Sequence, residues 1–420
     1  MDSKFSSYLN TFIQVASNKV GLDFKYFLDG GFWIFLRYFF VSVSGLAITV
    51  AFARYSQPDF FGRYQYVLSL LSLFSIGALP GLAFPLMREF SQKNDMAFIT
   101  VSRYSLISGL IAASVLFMFA PYFVKHYNEI KYSIWLIIAI FPLVYALNYW
   151  YIFFEYYGKY KEVSIALSLQ SALLALVIIG QIYFGSFSLS NFIAAYILIL
   201  LVFNIVMSGI VFRKVSRMDI GTGEISLKYG IEITIQKGLF IIVDIALPFF
   251  IPLLLGFGAL AYYQVGAFFA IAFGGLVSGL SSLYIPLLFK YKNLNYSRII
   301  VQNIFLGAGI FVCYSFFIYF IFPVFYRENY ALSQDIAWVF SISVCLFPLR
   351  IFLQNFFGTQ RENGIIIKTY LLAIIISVVG FYLFSQESLV LSVLVQLCLF
   401  NGVILISFLK KYYSLTHGAR

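Results

Sequence analysis

Twelve apolar runs, separated by short polar connections, set the pattern of this chain. They fall at roughly 32–53, 64–84, 97–120, 133–155, 163–184 and 189–212, then at roughly 229–255, 260–286, 300–322, 333–357, 364–384 and 388–409. A helix needs about 20 apolar residues to cross a bilayer. The pattern therefore predicts an all-α polytopic membrane protein with twelve spans. Phe5, Leu9, Phe12, Ala16 and Val20 recur at three- to four-residue spacing beside Lys4 and Lys19. That spacing predicts an amphipathic helix lying on the membrane surface ahead of the first span. No small-residue cleavage site closes the first run, so no cleavable signal is expected.

The first two runs form a unit. FWIFLRYFFVSVSGLAITVAF is interrupted chiefly by Arg37, the polar turn RYSQPDFFGRYQY follows, and VLSLLSLFSIGAL begins the second run. Pro58 opens the turn by fixing its own φ, and Gly62 starts the next helix with no side-chain penalty. The unit recurs: PDFFGRYQYVLSL aligns with GFGALAYYQVGAF, placing Tyr64-Gln65 on Tyr263-Gln264 and Arg37 opposite Gln236, beside Lys237. FPLVYALNYW in the fourth run also matches FPLRIFLQNF in the tenth, Pro142 on Pro348. Two concordant matches predict six-helix repeats related by an axis along the membrane normal. The expected organisation is a cytoplasmic N-terminal segment (1–31), a first lobe (32–212), a linker (213–228), a second lobe (229–409) and a tail (410–420).

Composition sharpens the class. The chain is 62% hydrophobic and 11% charged, with a mean hydropathy of +0.91, against about 25% charge in soluble domains. The net charge of +11 fits basic loops, and nucleic acid is not expected as a partner. Of the 28 Lys and Arg residues, nineteen lie in the N-terminal segment and at the exits of even-numbered spans, whereas five lie in the opposite loops. That asymmetry predicts both termini in the cytoplasm. The longest basic connection, FRKVSRMDIGTGEISLK, joins the sixth and seventh spans and reads as a flexible linker. Cys313, Cys345 and Cys398 each stand alone in apolar runs, and His126 and His417 are far apart. No metal centre and no nucleophile–base pair is expected, which argues against an enzyme.

Charges inside spans carry the chemistry, because each costs about 2.5–3.5 kcal/mol at a helix centre. They are Arg37, Arg103, Lys237, Asp244 and Arg350. On the expected orientation the four cations lie in the cytoplasmic half, Arg37, Lys237 and Arg350 at depths of about 8–12 Å. One reading is a cationic cavity for an anionic group; the other is side chains reaching out to headgroups, which suits Arg103, near its helix start. Asp244 follows Lys237 by two turns, on the same helix face. It is a candidate for coupling transport to a proton or sodium gradient, with a purely structural pairing as its alternative. Glu155 is expected to be solvated. Pro142, Pro248, Pro252, Pro286 and Pro348 should bend their spans, and Gly275 and Gly279 should permit close packing. Tyr149 and Trp150 are candidates for stacking on sugars, with packing as the other reading.

The run from Arg54 to Arg88 resembles the polysaccharide-export flippases, the O-antigen-unit translocases (Wzx type) of the superfamily that includes lipid II flippases and MATE exporters. Pro58, Phe61, Gly62 and Tyr64 match the family's Pro-x-x-Phe-Gly-x-Tyr turn, Gly77 and Arg88 its Gly…Arg after the second helix, and Asp244 a commonly acidic position. Ala78 stands where many relatives are acidic, so no ion site is assigned there. The resemblance implies a MATE-like fold and transport of an undecaprenyl-pyrophosphate-linked oligosaccharide across the bacterial inner membrane. It also implies a polysaccharide polymerase and a chain-length regulator as partners, with no cofactor. The alternative is a MATE-like, cation-coupled small-molecule exporter.

Overall fold

The computed structural model describes residues 24–126, 130–185, 187–216, 225–282, 296–326, 330–359 and 362–417. The expected surface helix at the N-terminus, Gly221 and Gly223 of the linker, and Pro286 lie outside the described residues. Those described are helical throughout, without a strand. Ten helices are long and apolar enough to cross a membrane, or twelve if each of two bent pairs counts as one span.

The first span lies in the helix Phe24–Tyr55, with its membrane-crossing stretch at Gly30–Tyr55. The second is broken. Pro58–Ser75 passes through two 3₁₀ turns, Ile76–Ala78 and Pro80–Leu82, into Ala83–Ser91, with a bend of 55°. The third is Ala97–His126, and the fourth runs as Lys131–Ala146 and Trp150–Tyr156. The fifth is Tyr160–Tyr183 and the sixth Leu189–Val215. The seventh, Leu227–Leu255, turns by 41° between Ile242 and Ile245. Pro248 explains the place of that turn, since its ring clashes with the carbonyl four residues earlier. The eighth is Phe257–Ser282; the ninth runs from Tyr296–Phe316 through a π-helical turn into Phe322–Phe325. The tenth to twelfth are Ala331–Thr359, Asn363–Phe384 and Leu389–His417.

Spans 1, 2, 7 and 8 face one another where the two lobes meet. At the end of the bundle that holds Tyr55 and Pro58, the turn motif becomes packing. Phe61 and Tyr64 are buried, and the Phe52 ring lies 5.1 Å from Phe61, 5.0 Å from Tyr64 and 5.2 Å from Phe192 of the sixth span. Such ring pairs each add about 0.5–1.5 kcal/mol beyond burial. Gly62 meets the other lobe directly: a Cβ there would overlap the backbone carbonyl of Phe257. Beside it, Gly258 N–H donates to Asp59 Oδ1 at 3.1 Å. Arg63 Nη2 holds Asp59 Oδ2 at 2.9 Å, with its guanidinium 5.7 Å from the Phe257 ring centre. On the repeat register, Asp59 and Gly258 are equivalent positions. Equivalent residues touch each other only near the axis that relates the lobes, so this contact marks that axis.

A second tie runs from the first span to the ninth. Arg54 donates to the carbonyls of Val324 and Phe325 at 3.0 and 3.2 Å, occupying acceptors that a helix C-terminus leaves free. The hydroxyls of Thr49 and Tyr326 lie 2.9 Å apart.

At the other, basic end the Tyr38 ring of the first span lies against Gly275 and Gly279, and a Cβ on Gly279 would overlap it. The GxxxG spacing read from the sequence thus receives an aromatic ring from the opposite lobe. The connection after the second span is held by Tyr157, whose hydroxyl bonds both Asp95 carboxylate oxygens at 2.9 and 2.8 Å. Burial, and then the adjacent carboxylate, raise this phenol's pKa above its ordinary value.

Close approach at Gly62 makes a direct prediction. Any side chain there must push Phe257 away and part Asp59 from Gly258. In a protein whose three cysteines are replaced by alanine, the pair D59C/G258C should cross-link readily, and adding Gly62→Val should slow that reaction at least several-fold. Equal rates would mean that the lobes meet elsewhere.

Candidate functional site

The break in the second span builds the site. Leu79 precedes Pro80, and the proline ring disfavours the α conformation for the residue before it. Leu79 does not take the extended backbone usual before proline but sits in the left-handed region at φ 58°, ψ 54°, which costs a non-glycine residue about 1–2 kcal/mol. The break also frees backbone groups where a bilayer offers no water, and each must find a partner within the protein.

The partners come from three other spans. Ser108 Oγ of the third span donates to the Gly77 carbonyl, and Ser105 Oγ to the Ala78 carbonyl at 2.7 Å. The Tyr149 hydroxyl lies 2.7 Å from the Leu79 carbonyl and 3.2 Å from that of Ala78. From the seventh span, in the other lobe, Lys237 Nζ donates to the Pro80 carbonyl at 3.1 Å. Gly81 N–H donates to Thr234 Oγ1 at 3.0 Å, and that hydroxyl donates to the Gly230 carbonyl at 2.8 Å. Gly81 must be glycine here, since a Cβ would overlap the Thr234 nitrogen and the Gly230 oxygen.

A cavity of about 110 Å³ opens beside this junction, lined by Ser75, Ala78, Pro80, Tyr145, Asn148, Tyr149, Tyr151 and Lys237. Since one water needs about 10–15 Å³ of such volume, a phosphate-sized group fits and a sugar chain does not. Among the described residues, the wall offers a cation, phenols, an amide and carbonyls, and no carboxylate. Lys237 also stands over the Phe84 ring at 5.1 Å.

Arg37 lies close by but is paired. Its Nη1 is 2.7 Å from Glu155 Oε1, with side-chain exposures of 14% and 21%. Glu155 is thus not a solvated carboxylate: it is the counter-ion of Arg37, reached across 118 residues. Tyr151 links the pair to the cavity, because it lines the cavity and stands within electrostatic range of Glu155 and Arg37.

The remaining predicted residues lie apart. Arg350 packs in the second lobe, its guanidinium 4.9 Å from the Phe347 ring centre and 5.7 Å from that of Phe400, with Asn401 Oδ1 at 3.5 Å. Arg103 is exposed on the third span. Asp244 belongs to the seventh helix, but its side chain lies outside those described. Pro58, Phe61, Gly62 and Tyr64 form the contact at the opposite end, Gly77 supplies a carbonyl to the break, and Arg88 is exposed on Ala83–Ser91. Trp150 is buried, donating to Asn204 Oδ1 at 3.0 Å. The Tyr149 hydroxyl is bound to the break while its residue lines the cavity. Ser105, Ser108 and Thr234 were not singled out by the sequence, and Tyr149 was singled out only for stacking. The dipeptide Pro80-Gly81, a strong punctuator inside an apolar run, was the available signal. Among the described residues, no group of three His, Cys, Asp or Glu side chains comes together.

The fold is that of MOP-superfamily transporters. A multidrug resistance MATE family transporter of that superfamily, inward-facing, matches with a TM-score of 0.67 at 13% identity, over 90% of this chain and 94% of that one. The lipid II flippase MurJ, inward closed, matches at 0.65 and 13% identity over 91% and 87%. An outward-facing MATE structure matches at 0.60 and 14% identity over 93% and 96%. At these identities the likeness establishes the fold and nothing finer. No protein-family model matches the sequence, and no curated protein matches it.

The Arg37–Glu155 pair gives a test of its own. Arg37→Ala strands a mostly buried carboxylate and should destabilise the protein by about 3 kcal/mol, read as a lower melting temperature in detergent. The double variant R37A/E155A should recover most of that loss. If the single and double variants melt alike, the pair contributes nothing to stability.

Proposed function

We propose that this protein is a flippase that carries an undecaprenyl-pyrophosphate-linked oligosaccharide unit from the cytoplasmic to the periplasmic leaflet. The observation that supports this most directly is the cavity beside the broken second span: it holds an ammonium and neutral polar groups, and none of the described residues that line it is acidic. Such a wall suits the diphosphate of a lipid-linked sugar and opposes a cationic drug. Lys237 is the proposed diphosphate ligand, joined by Arg350 as the lobes move and by Arg37 once released from Glu155. Arg103, being exposed, is assigned to the lipid headgroups. Asp244 is proposed to couple the cycle to a proton or sodium gradient.

The fold is equally compatible with a second reading, a cation-coupled small-molecule exporter, because the MATE and MurJ structures match about equally well. The charge of the cavity favours the first.

In proteoliposomes, the wild type should translocate undecaprenyl-pyrophosphate-linked units and should not accumulate a cationic dye. Lys237→Met and Arg350→Met should each lower translocation at least tenfold, about the loss of one charge-assisted contact. Asp244→Asn should bind substrate but stall under an imposed pH gradient. Dye transport that survives both cation substitutions would overturn this reading in favour of the second.

A further inference from the structure

The ammonium of Lys237 is underused where it sits. It carries three N–H donors, and among the described residues it makes one hydrogen bond, to the Pro80 carbonyl. The Phe84 ring adds a cation–π contact. Taking a charge out of water costs several kcal/mol. A single carbonyl and one ring leave that cost barely offset. This half-satisfied cation also bridges the lobes, since Pro80 belongs to the second span and Lys237 to the seventh.

Its neighbours make the same crossing. Thr234 accepts from Gly81, and Gly230 leaves room for Leu82, whose methyl a Cβ on Gly230 would overlap. Gly230, Thr234 and Lys237 recur at three- to four-residue spacing, which puts them on one face of the seventh helix. That face seats against the segment Pro80–Leu82. The bonds are few, polar and reversible, unlike the backbone contact of Gly62 with Phe257 at the opposite end.

We infer that this seam is a load-sensing latch: an anionic headgroup entering the cavity takes the Lys237 ammonium from the Pro80 carbonyl, and the second and seventh spans then part at the basic end. The inference rests on the proposed function and adds how occupancy is signalled. Lys237 serves two acceptors in turn. A diphosphate is a stronger acceptor for the ammonium than a carbonyl, because it adds an opposite charge where the carbonyl offers a neutral group. The empty protein therefore keeps the seam shut, and a headgroup without a diphosphate leaves it shut. Once Lys237 departs, the Pro80 carbonyl loses this partner, and among the described residues the Gly81–Thr234 hydrogen bond is the polar clasp left between the two segments, weak enough to yield.

Disulfide formation across the seam reads the latch. In a protein with Cys313, Cys345 and Cys398 replaced by alanine, L82C/G230C removes the Leu82 methyl for which Gly230 makes room. Purified in nanodiscs, this pair should cross-link quickly. Inorganic pyrophosphate should slow the reaction about tenfold, saturably, while chloride should not. With Lys237→Met the rate should no longer respond to pyrophosphate, and Lys237→Arg should restore the response. Thr234→Val should slow cross-linking without anion yet keep the response, since it removes the other clasp and spares the sensor. Binding of radiolabelled pyrophosphate is measured on the same samples. Pyrophosphate that binds without slowing the reaction, or slows it equally in Lys237→Met, overturns the latch and leaves the proposed function standing. If pyrophosphate does not bind at all, both fall.

Discussion

A helix interrupted inside a membrane leaves backbone carbonyls that no water can reach, and most of this structure's organisation answers that one constraint. The break at Leu79-Pro80 draws Ser105 and Ser108 from the third span, Tyr149 from the fourth, and Thr234 and Lys237 from the seventh. The fourth span is itself interrupted near Leu147, and the same rule applies. Asn204 donates to the Val144 carbonyl at 2.8 Å, and Ser208 Oγ to the Leu147 carbonyl at 2.5 Å. The sixth span thus satisfies the fourth, and the fourth satisfies the second. Polar side chains that look scattered along the sequence form a relay toward the lobe boundary.

The two ends of that boundary are built from different interactions. Near Gly62 the lobes approach backbone to backbone, with a carboxylate receiving the Gly258 N–H in the first turn of the eighth helix and Arg54 occupying carbonyls at the end of the ninth. Contacts of this kind depend on shape, because lipid supplies no hydrophobic drive for helices to associate and packing must do so. Near Gly81 the contact is a short row of hydrogen bonds around one charge. Shape contacts break together or not at all, whereas a row of hydrogen bonds responds to whatever competes for its donors. A ligand that enters beside Lys237 acts on the second kind of contact.

The sequence made the helices legible and hid their partners. Twelve apolar runs map onto the described spans, and the cost of a buried charge identified Arg37, Lys237 and Arg350 as residues needing a reason. Their reasons were invisible, because Glu155 is 118 residues from Arg37 and the Pro80 carbonyl is backbone, which no residue pattern advertises. The second span read as continuous because Leu79 and Pro80 are themselves apolar, so hydropathy passes over a break that backbone sterics impose. The turn motif was legible as a motif, but its use as an inter-lobe contact depended on Phe257, which only the folded chain brings to Gly62.

Among the described residues the partly buried cations are paired differently in the two lobes, and this bears on how the proposed cycle would run. In the first lobe Arg37 is neutralised by Glu155 at 2.7 Å. Lys237 and Arg350 belong to the second lobe, and among the described residues their hydrogen-bond partners are a carbonyl and an amide oxygen. Neutral acceptors orient a cation without cancelling it. An anion between the lobes is therefore drawn to the seventh and tenth spans, while the first lobe meets it with phenols and amides. On the proposed reading, the second lobe carries the headgroup and the first acts as the surface it leaves and rejoins. A pairing of Asp244 with Lys237 would remove part of that excess, so the state of this one carboxylate sets how strongly the second lobe holds its load.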